Sequence, residues 1–436
     1  MHCAIDFGTS NSSIGVPGAD SAFHLVELEP GFVTMPTAVF YFADAAAGAD
    51  PGSASPKAFG RAALAAYVDG IEGRLMRSMK SLLGSALLDQ TTDAGSGRGV
   101  KYRDVITDYL LHLKQRAEAH AGQPIRRAML GRPVFFVDDD PARDAQAHAA
   151  LEATARQVGF DDVQFQYEPI AAAFDYERSV DHEQIVLVAD IGGGTSDFSV
   201  VRVGPRQRTR LERRADILAN HGVHSAGTDF DRRIELAAIL PALGFGSFGP
   251  PRGTEPAREV PSAVYFDLAT WHLINTVYQP QRVAELRSMR RFYADPVHHD
   301  RLLTVLAHHL GHDLSARAET AKIAVAQGTQ APIDLSGVER GLAAALTSAQ
   351  ALQAIQAEVE RIVAAARDTV AQADLREARI DALYFTGGST GLASLTAAIA
   401  APFAGARVLH GDRFASVAAG LGLHAQRWFG RRARRT

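Results

Sequence analysis

Residues 186–203 read VLVADIGGGTSDFSVVRV. An apolar run from Val186 leads into Asp190 and Ile191, three consecutive glycines, Thr195, Ser196 and Asp197 follow, and Phe198, Val200, Val201 and Val203 resume the extended pattern. Apolar runs on both sides of a cluster of turn-forming residues predict strand, tight turn, strand. Adjacent glycines cost backbone entropy and are tolerated where the chain bends sharply or presses against a ligand. The acids flanking the turn, Asp190 and Asp197, suit a hydrated metal beside phosphates. A P-loop would need GxxxxGK[ST], and a dinucleotide site GxGxxG opening a helix; neither is present in this stretch. An ordinary β-turn is the bland alternative.

A second copy of the design decides against that alternative. Ala4 to Val16 reads AIDFGTSNSSIGV, again strand, Asp-x-Gly-Thr-Ser turn, strand. Two such hairpins, far apart in the chain, argue for a duplicated fold with a site between the copies. A third element, ALYFTGGSTGLASL from Ala382 to Leu395, reads as a short strand ending in Gly387-Gly388-Ser389 before a helical pattern. It suits a loop meeting the other face of a nucleotide.

Composition sets the outer limits. A chain of 436 residues is long enough for two or more domains. A net charge of -4 gives no general electrostatic reason to expect nucleic acid as a partner. The lone cysteine, Cys3, excludes an internal disulfide framework and sits in the first predicted strand. Neither a secretory leader nor an 18-residue apolar span is found in the sequence, so a soluble, cytoplasmic protein without membrane contact is expected. The Arg-rich tail (Arg427, Arg431, Arg432, Arg434, Arg435) reads as a solvated terminus.

Along the chain, strands are expected near Phe23–Leu28, Thr37–Phe42, Arg127–Val137 and Val163–Tyr167. Helices are expected over Ala58–Val68, Tyr102–His120, Ala142–Val158 and from Glu168-Pro169 to Tyr176. Proline suits a first helical turn because its missing N–H has no partner there anyway. Ala45–Pro56 and Gly84–Val100 read as loops of low order. In the second half a third strand is expected at Arg210–Leu218 and a helix from Gly227 through Ile239. A mobile Gly/Pro-rich loop is expected over 240–262. Helical patterns follow at Trp271–Tyr278, Gln281–Arg291, Asp300–Leu310, Leu314–Ala326 and, in one long run, Gly337–Arg367. Alternation of this kind indicates layered α/β architecture. The histidines near 308–312 do not form a persuasive zinc pattern, and Trp271, Phe292 and Tyr293 read as packing residues.

The ordered set DFGTSNS, YEPIAAAFDY, DIGGGTSDFSV, GTDFDRRI and TGGST closely resembles the Hsp70 branch of the actin, sugar kinase and heat-shock ATPase superfamily. In appearance the chain is nearest to short YegD-like Hsp70-related proteins that lack the substrate-binding domain. The resemblance implies an α/β, actin-like ATPase fold: duplicated ribonuclease-H-like domains with inserted subdomains. One lobe would span 1–178 (outer insertion about 40–102) and the other 179–436 (outer insertion about 220–314), with no C-terminal peptide-binding domain. It implies ATP or ADP with Mg2+ in the cleft. Gly8, Thr9, Ser10 and Asn11 would form the first phosphate loop, and Gly192, Gly193, Gly194 and Thr195 the second. Gly227 and Thr228 would lie where the outer lobe nears the nucleotide. Glu319 and Lys322 would sit by the ribose and base, and Gly387, Gly388 and Ser389 would form the adenosine loop. Lys80, Glu168, Asp190 and Thr195 form the implied catalytic set, and Asp6, Asp190 and Asp197 would hold metal mostly through water.

Three positions depart from the family pattern: Ile323 and Gly391 stand where it has arginines that clamp adenine, and Ala326 where it has serine. Two cation–π or stacking contributions are thus absent, which predicts weaker or different adenine binding. The role of Asp412 is left open. The implied function is a slow Mg-dependent ATPase whose lobe closure regulates a protein partner or client. The alternatives are a nucleotide-binding scaffold without turnover and a small-molecule kinase of the same fold.

Overall fold

The computed structural model describes residues 1–18, 22–43, 56–93, 99–137, 140–251, 256–328, 330–412 and 415–433. The expected loop at 45–55, the middle of the 84–100 stretch and the terminal Arg434 and Arg435 lie outside the described residues.

In the first half, β1 (His2–Phe7) and β2 (Asn11–Pro17) form an antiparallel hairpin in which Asp6 faces Ser13. β3 (Phe23–Leu25) and β4 (Thr34–Pro36) both add to β2. A separate three-stranded sheet is made of β5 (Ala38–Phe42), β6 (Lys57–Phe59) and β7 (Gly73–Arg77), with α1 (Gly60–Val68) joining the last two. A 3-10 turn at Met79–Leu82 carries Lys80, and the ribbon β8 (Thr91–Asp93) and β9 (Gly99–Lys101) follows. α2 (Tyr102–Ala121) buries Val105, Ile106, Tyr109, Leu110, Leu113 and Ala117, the apolar stripe its sequence spacing predicts. Then come β10 (Arg127–Arg132), α3 (Pro141–Gln157), β11 (Asp162–Tyr167) and α4 (Glu168–Ser179). Asp140 caps α3 by accepting from the Arg143 N–H at 3.0 Å, with Pro141 in the first turn.

The second half repeats the plan. β12 (Gln184–Ile191) and β13 (Ser196–Val203) form the hairpin, and β14 (Ile217–Val223) adds to it. α5 (Gly227–Ile234) continues as a π-helix over Glu235–Ile239. α6 (Ala263–Leu268), α7 (Ile274–Val277), α8 (Pro280–Arg287), α9 (Pro296–Ala307) and α10 (Gly311–Gln327) precede the ribbon β15 (Gln330–Asp334) and β16 (Ala343–Thr347). α11 (Ser348–Gln372), β17 (Ala382–Thr386), α12 (Ala393–Ala400), β18 (Arg407–His410) and α13 (Ser416–Ala433) complete the chain. The main sheets run β3-β2-β1-β10-β11 and β14-β13-β12-β17-β18. In each, two antiparallel pairings are followed by two parallel ones. The duplicated, actin-like α/β architecture is therefore as expected.

One apolar cluster fills the interior of each half. A third joins Ala4 and Met129 of the first sheet, Val186, Val188, Val201 and Ala382 of the second, and residues of α4 and α13. α4 and α13 thus form a layer between the sheets. A Cβ on Gly420 of α13 would lie 1.9 Å from the Ala171 carbonyl oxygen of α4, so only glycine permits this approach.

Several expected elements are revised. The third strand begins at Ile217 rather than Arg210, because the segment before it delivers Arg213 to a buried site. There Arg213, 1% exposed, binds Glu177 at 2.9 Å and Asp216 at 2.6 Å. The long helical run over 337–367 is interrupted: Ala343–Thr347 is a strand because β15 supplies its ladder, and α11 begins at Ser348 under a Thr347–Gln350 capping box. The helix from Gly227 becomes π-helical after Ile234, and the 281–291 pattern ends as α-helix at Arg287. Within 240–262, Leu240, Leu243 and Val260 are buried and Phe248 bridges Glu259, so the stretch is anchored at these points while Phe248 itself and several other described residues stay exposed. Arg427 is not a solvated tail residue: its guanidinium donates to the Arg208 carbonyl at 2.9 Å.

Candidate functional site

The turn between β1 and β2 is fixed from outside. Thr37 donates its hydroxyl to the Gly8 carbonyl at 2.8 Å and its N–H to the Ser10 carbonyl at 2.9 Å. A Cβ on Gly8 would lie 2.1 Å from the Asn11 carbonyl oxygen, so the turn closes only with glycine there. The turn between β12 and β13 is held in the same manner. The Gly192 N–H donates to the Thr195 carbonyl at 2.9 Å, Ser389 donates its hydroxyl to the Gly192 carbonyl at 2.7 Å, and the Thr228 N–H and hydroxyl both reach the Gly193 carbonyl, at 2.7 and 2.9 Å. With these carbonyls engaged, the N–H groups of Gly193, Gly194 and Thr195 meet no protein acceptor among the described residues. Consecutive free main-chain N–H groups make an anion-binding concavity. The turns confront one another: a Cβ on Gly193 would lie 2.8 Å from Ser10 Oγ.

Between them lies a cavity of about 690 Å3, within the range of small-ligand sites. Asp6, Gly8 to Asn11, Lys80, Glu168, Asp190, Gly192 to Thr195, Asp197, Gly227, Thr228, Glu319, Lys322 and Gly387 to Ser389 all line it. The residues singled out from the sequence are therefore brought together, from both halves of the chain.

At the end of the cavity lined by the two glycine turns the charges are crowded. Lys80, delivered by the turn after β7, meets Glu168 at the first position of α4, 2.6 Å apart. Burial pushes Asp6 up to about 7, with Glu168 adding to the rise and Lys80 opposing it. Burial likewise takes Asp190 to about 7, aided by Asp197, Asp6 and Glu168. For Lys80, burial favours the neutral amine, but Glu168 and Asp6 outweigh it and its pKa is raised. The Thr195 hydroxyl donates to Asp197 at 2.9 Å.

The other end is built by α10 and the turn after β17. Gly387 adopts φ +88, and a Cβ there would meet the Ile191 carbonyl at 2.4 Å and Asp190 Oδ1 at 2.5 Å. Ile323, Ala326, Gly391 and Leu392 line this end, with Ile323 52% exposed. Lys322 pairs with Asp231 at 2.6 Å, not with Glu319 one turn away as simple helix spacing allows. Asp231 is a site residue that sequence reasoning missed: it lies inside the quoted GTDFDRRI, but nothing local links it to Lys322. The Ser389 hydroxyl, besides lining the cavity, braces the turn between β12 and β13. Asp412, whose role was open, caps the approach to α13 by accepting from the Ala415 N–H at 2.9 Å.

Among the described residues no group of three or more His, Cys, Asp or Glu side chains is placed to hold a metal directly, and no helix is long and apolar enough to cross a membrane. His309 stacks on Tyr278, and His312 bonds Asn275 at 3.1 Å.

Comparison with known proteins agrees with this geometry. Residues 83–238 match the Hsp70 protein family. The chain is similar to the chaperone protein DnaK of Thermosipho melanesiensis, 29% identical over 233 residues, which are 53% of this chain and 34% of that protein. The match thus spans about a third of the length of this curated relative. Both findings support the Hsp70-like resemblance drawn from the motifs.

Proposed function

We propose that this Hsp70-like chain binds ATP in the cleft between its two sheets and hydrolyses it slowly, and that closure of one lobe (1–178) on the other (179–436) regulates binding of a protein partner. One observation carries the reading: two glycine turns, one from each half, face each other across the cavity, and the second offers unengaged N–H groups. A triphosphate tail is the ligand whose charge and length suit such a pair.

In this reading the N–H groups of Gly193, Gly194 and Thr195 and the Gly8–Asn11 turn bind phosphate oxygens. Asp6, Asp190 and Asp197 would hold Mg2+ through water. The donor set fits: among the described residues carboxylates line the cavity without forming a direct ligand group, and burial, with repulsion between neighbouring carboxylates, pushes Asp6 and Asp190 toward neutral pH. When bound, the cation would offset phosphate charge. Lys80, a compact cation fixed by Glu168, supplies positive charge where negative charge develops on the transferred phosphoryl group. Glu168 and Thr195 orient an in-line water, the main requirement of phosphoryl transfer to water. Glu319 and Lys322 take the ribose side, while Gly387 and Gly388 let the nucleoside approach the backbone.

Calorimetry with ATP, ADP and AMP, together with phosphate release, tests this. Lys80→Ala is expected to keep ADP affinity and lose about a hundredfold in turnover, the scale of one charge-stabilising group. Equal turnover in both proteins removes the assigned role of Lys80. Absence of nucleotide binding sinks the whole reading. Label passing from ATP into a metabolite instead of free phosphate identifies a kinase.

A further inference from the structure

We propose that the nucleoside end of the cleft opens into an apolar subsite between α10, α11 and α12 that accepts an aromatic substituent on a purine nucleotide. This rests on the nucleotide reading above. A second cavity, of about 160 Å3, shares two wall residues, Ala326 and Leu392, with the main one. Its remaining apolar wall includes Val325 of α10 and Ala351, Leu352 and Ile355 of α11. None of the residues lining it is charged, and one of its two hydroxyl side chains, Ser348, is committed to the Gly328 carbonyl at 3.0 Å.

The hollow opens to solvent, its walls offer water few hydrogen-bond partners, and its volume is about that which holds a benzene-sized hydrocarbon. Leu352 is 41% exposed, and Ile323, in the wall of the main cavity, is among the large apolar side chains most open to solvent. A planar base bound at this end therefore meets aliphatic side chains, and a substituent on its edge continues onto the same surface. The hydrocarbon that a ligand brings would cover side chains now left to water, so affinity rises with the apolar area buried.

The probes are ADP, N6-benzyl-ADP and 2-benzylthio-ADP, which direct the ring from different base positions, measured by calorimetry on the full chain. At least one analogue is expected to bind about tenfold tighter than ADP. Leu352→Glu and Ala393→Phe, neither of which lines the nucleotide cleft, are each expected to cancel that gain while leaving ADP affinity unchanged. If one variant fails to fold, the other carries the comparison. The proposal is overturned if both analogues bind no tighter than ADP, or if the gain survives in a folded variant. ADP binding without any gain sinks the subsite alone; failure of ADP and both analogues to bind sinks the nucleotide reading with it.

Discussion

Glu235 is fully buried at the start of the π-helix, and neither carboxylate oxygen meets a hydrogen-bond partner among the described residues. Burial, reinforced by Asp231, holds its pKa well above the ordinary carboxylate value. The native state therefore keeps a proton that the unfolded chain releases near pH 4.5. Stability conferred by that proton is full below the unfolded value and declines as pH rises toward the folded one, by about 1.4 kcal/mol per pH unit. Glu235→Gln keeps the shape and removes the titration. Its thermal midpoint, measured against wild type, is expected to gain progressively from pH 5 to pH 7; a constant difference would contradict the assignment. Nothing in the sequence marks Glu235, because the burial that shifts it is a matter of tertiary packing, to which Asp231, one turn earlier, only adds. Lys80 is different: the family resemblance singled it out together with Glu168, and what the fold added is their direct pairing.

At the scale of elements, two glycine turns work because neighbouring elements hold them. Ser389 belongs to the turn after β17, yet its hydroxyl bonds the Gly192 carbonyl. Ser389→Ala is expected to weaken ADP binding roughly fivefold, the worth of one hydrogen bond, while adenosine affinity is spared. A matching loss for adenosine would place the serine at the nucleoside instead. Helix packing gives a second expectation. Because Gly420 has no room for a Cβ against Ala171, Gly420→Ala should cost about 1–3 kcal/mol by forcing α13 away from α4. An unchanged thermal midpoint would show that these helices shift freely. The glycine itself is plain in the sequence; the carbonyl it must pass is not.

At the scale of the molecule, the two halves also meet away from the glycine turns. Tyr67 at the end of α1 stacks on Trp271 with ring centroids 4.9 Å apart. The Arg77 guanidinium lies 4.1 Å from the centre of the same indole, and the His312 ring is tilted against it with centroids 5.1 Å apart. The sequence reading of Trp271 as a packing residue agrees with this, although its partners in the first half could not be foreseen. If nucleotide leaves by separation of the halves, this contact must break first. Loss of one aromatic pair and one cation–π contact, about 1–1.5 kcal/mol, predicts that Trp271→Ala speeds ADP release roughly five- to tenfold. Stopped-flow displacement of a fluorescent ADP reads the rate, and an unchanged rate would mean that release does not require this contact to open.

The amino-acid order by itself determined the paired hairpins, the duplicated architecture, the glycines of their turns and the apolar stripe of α2. Each of these is a local matter, of backbone freedom or of side-chain period along one element. Tertiary structure alone decided that Ala343–Thr347 is a strand, that Lys322 joins Asp231, that Ser389 braces Gly192 and that an apolar hollow lies beside Leu392. Those outcomes depend on which surfaces meet across long stretches of chain, and an alanine-rich segment or a lone hydroxyl carries no local mark of the partner that packing will bring to it.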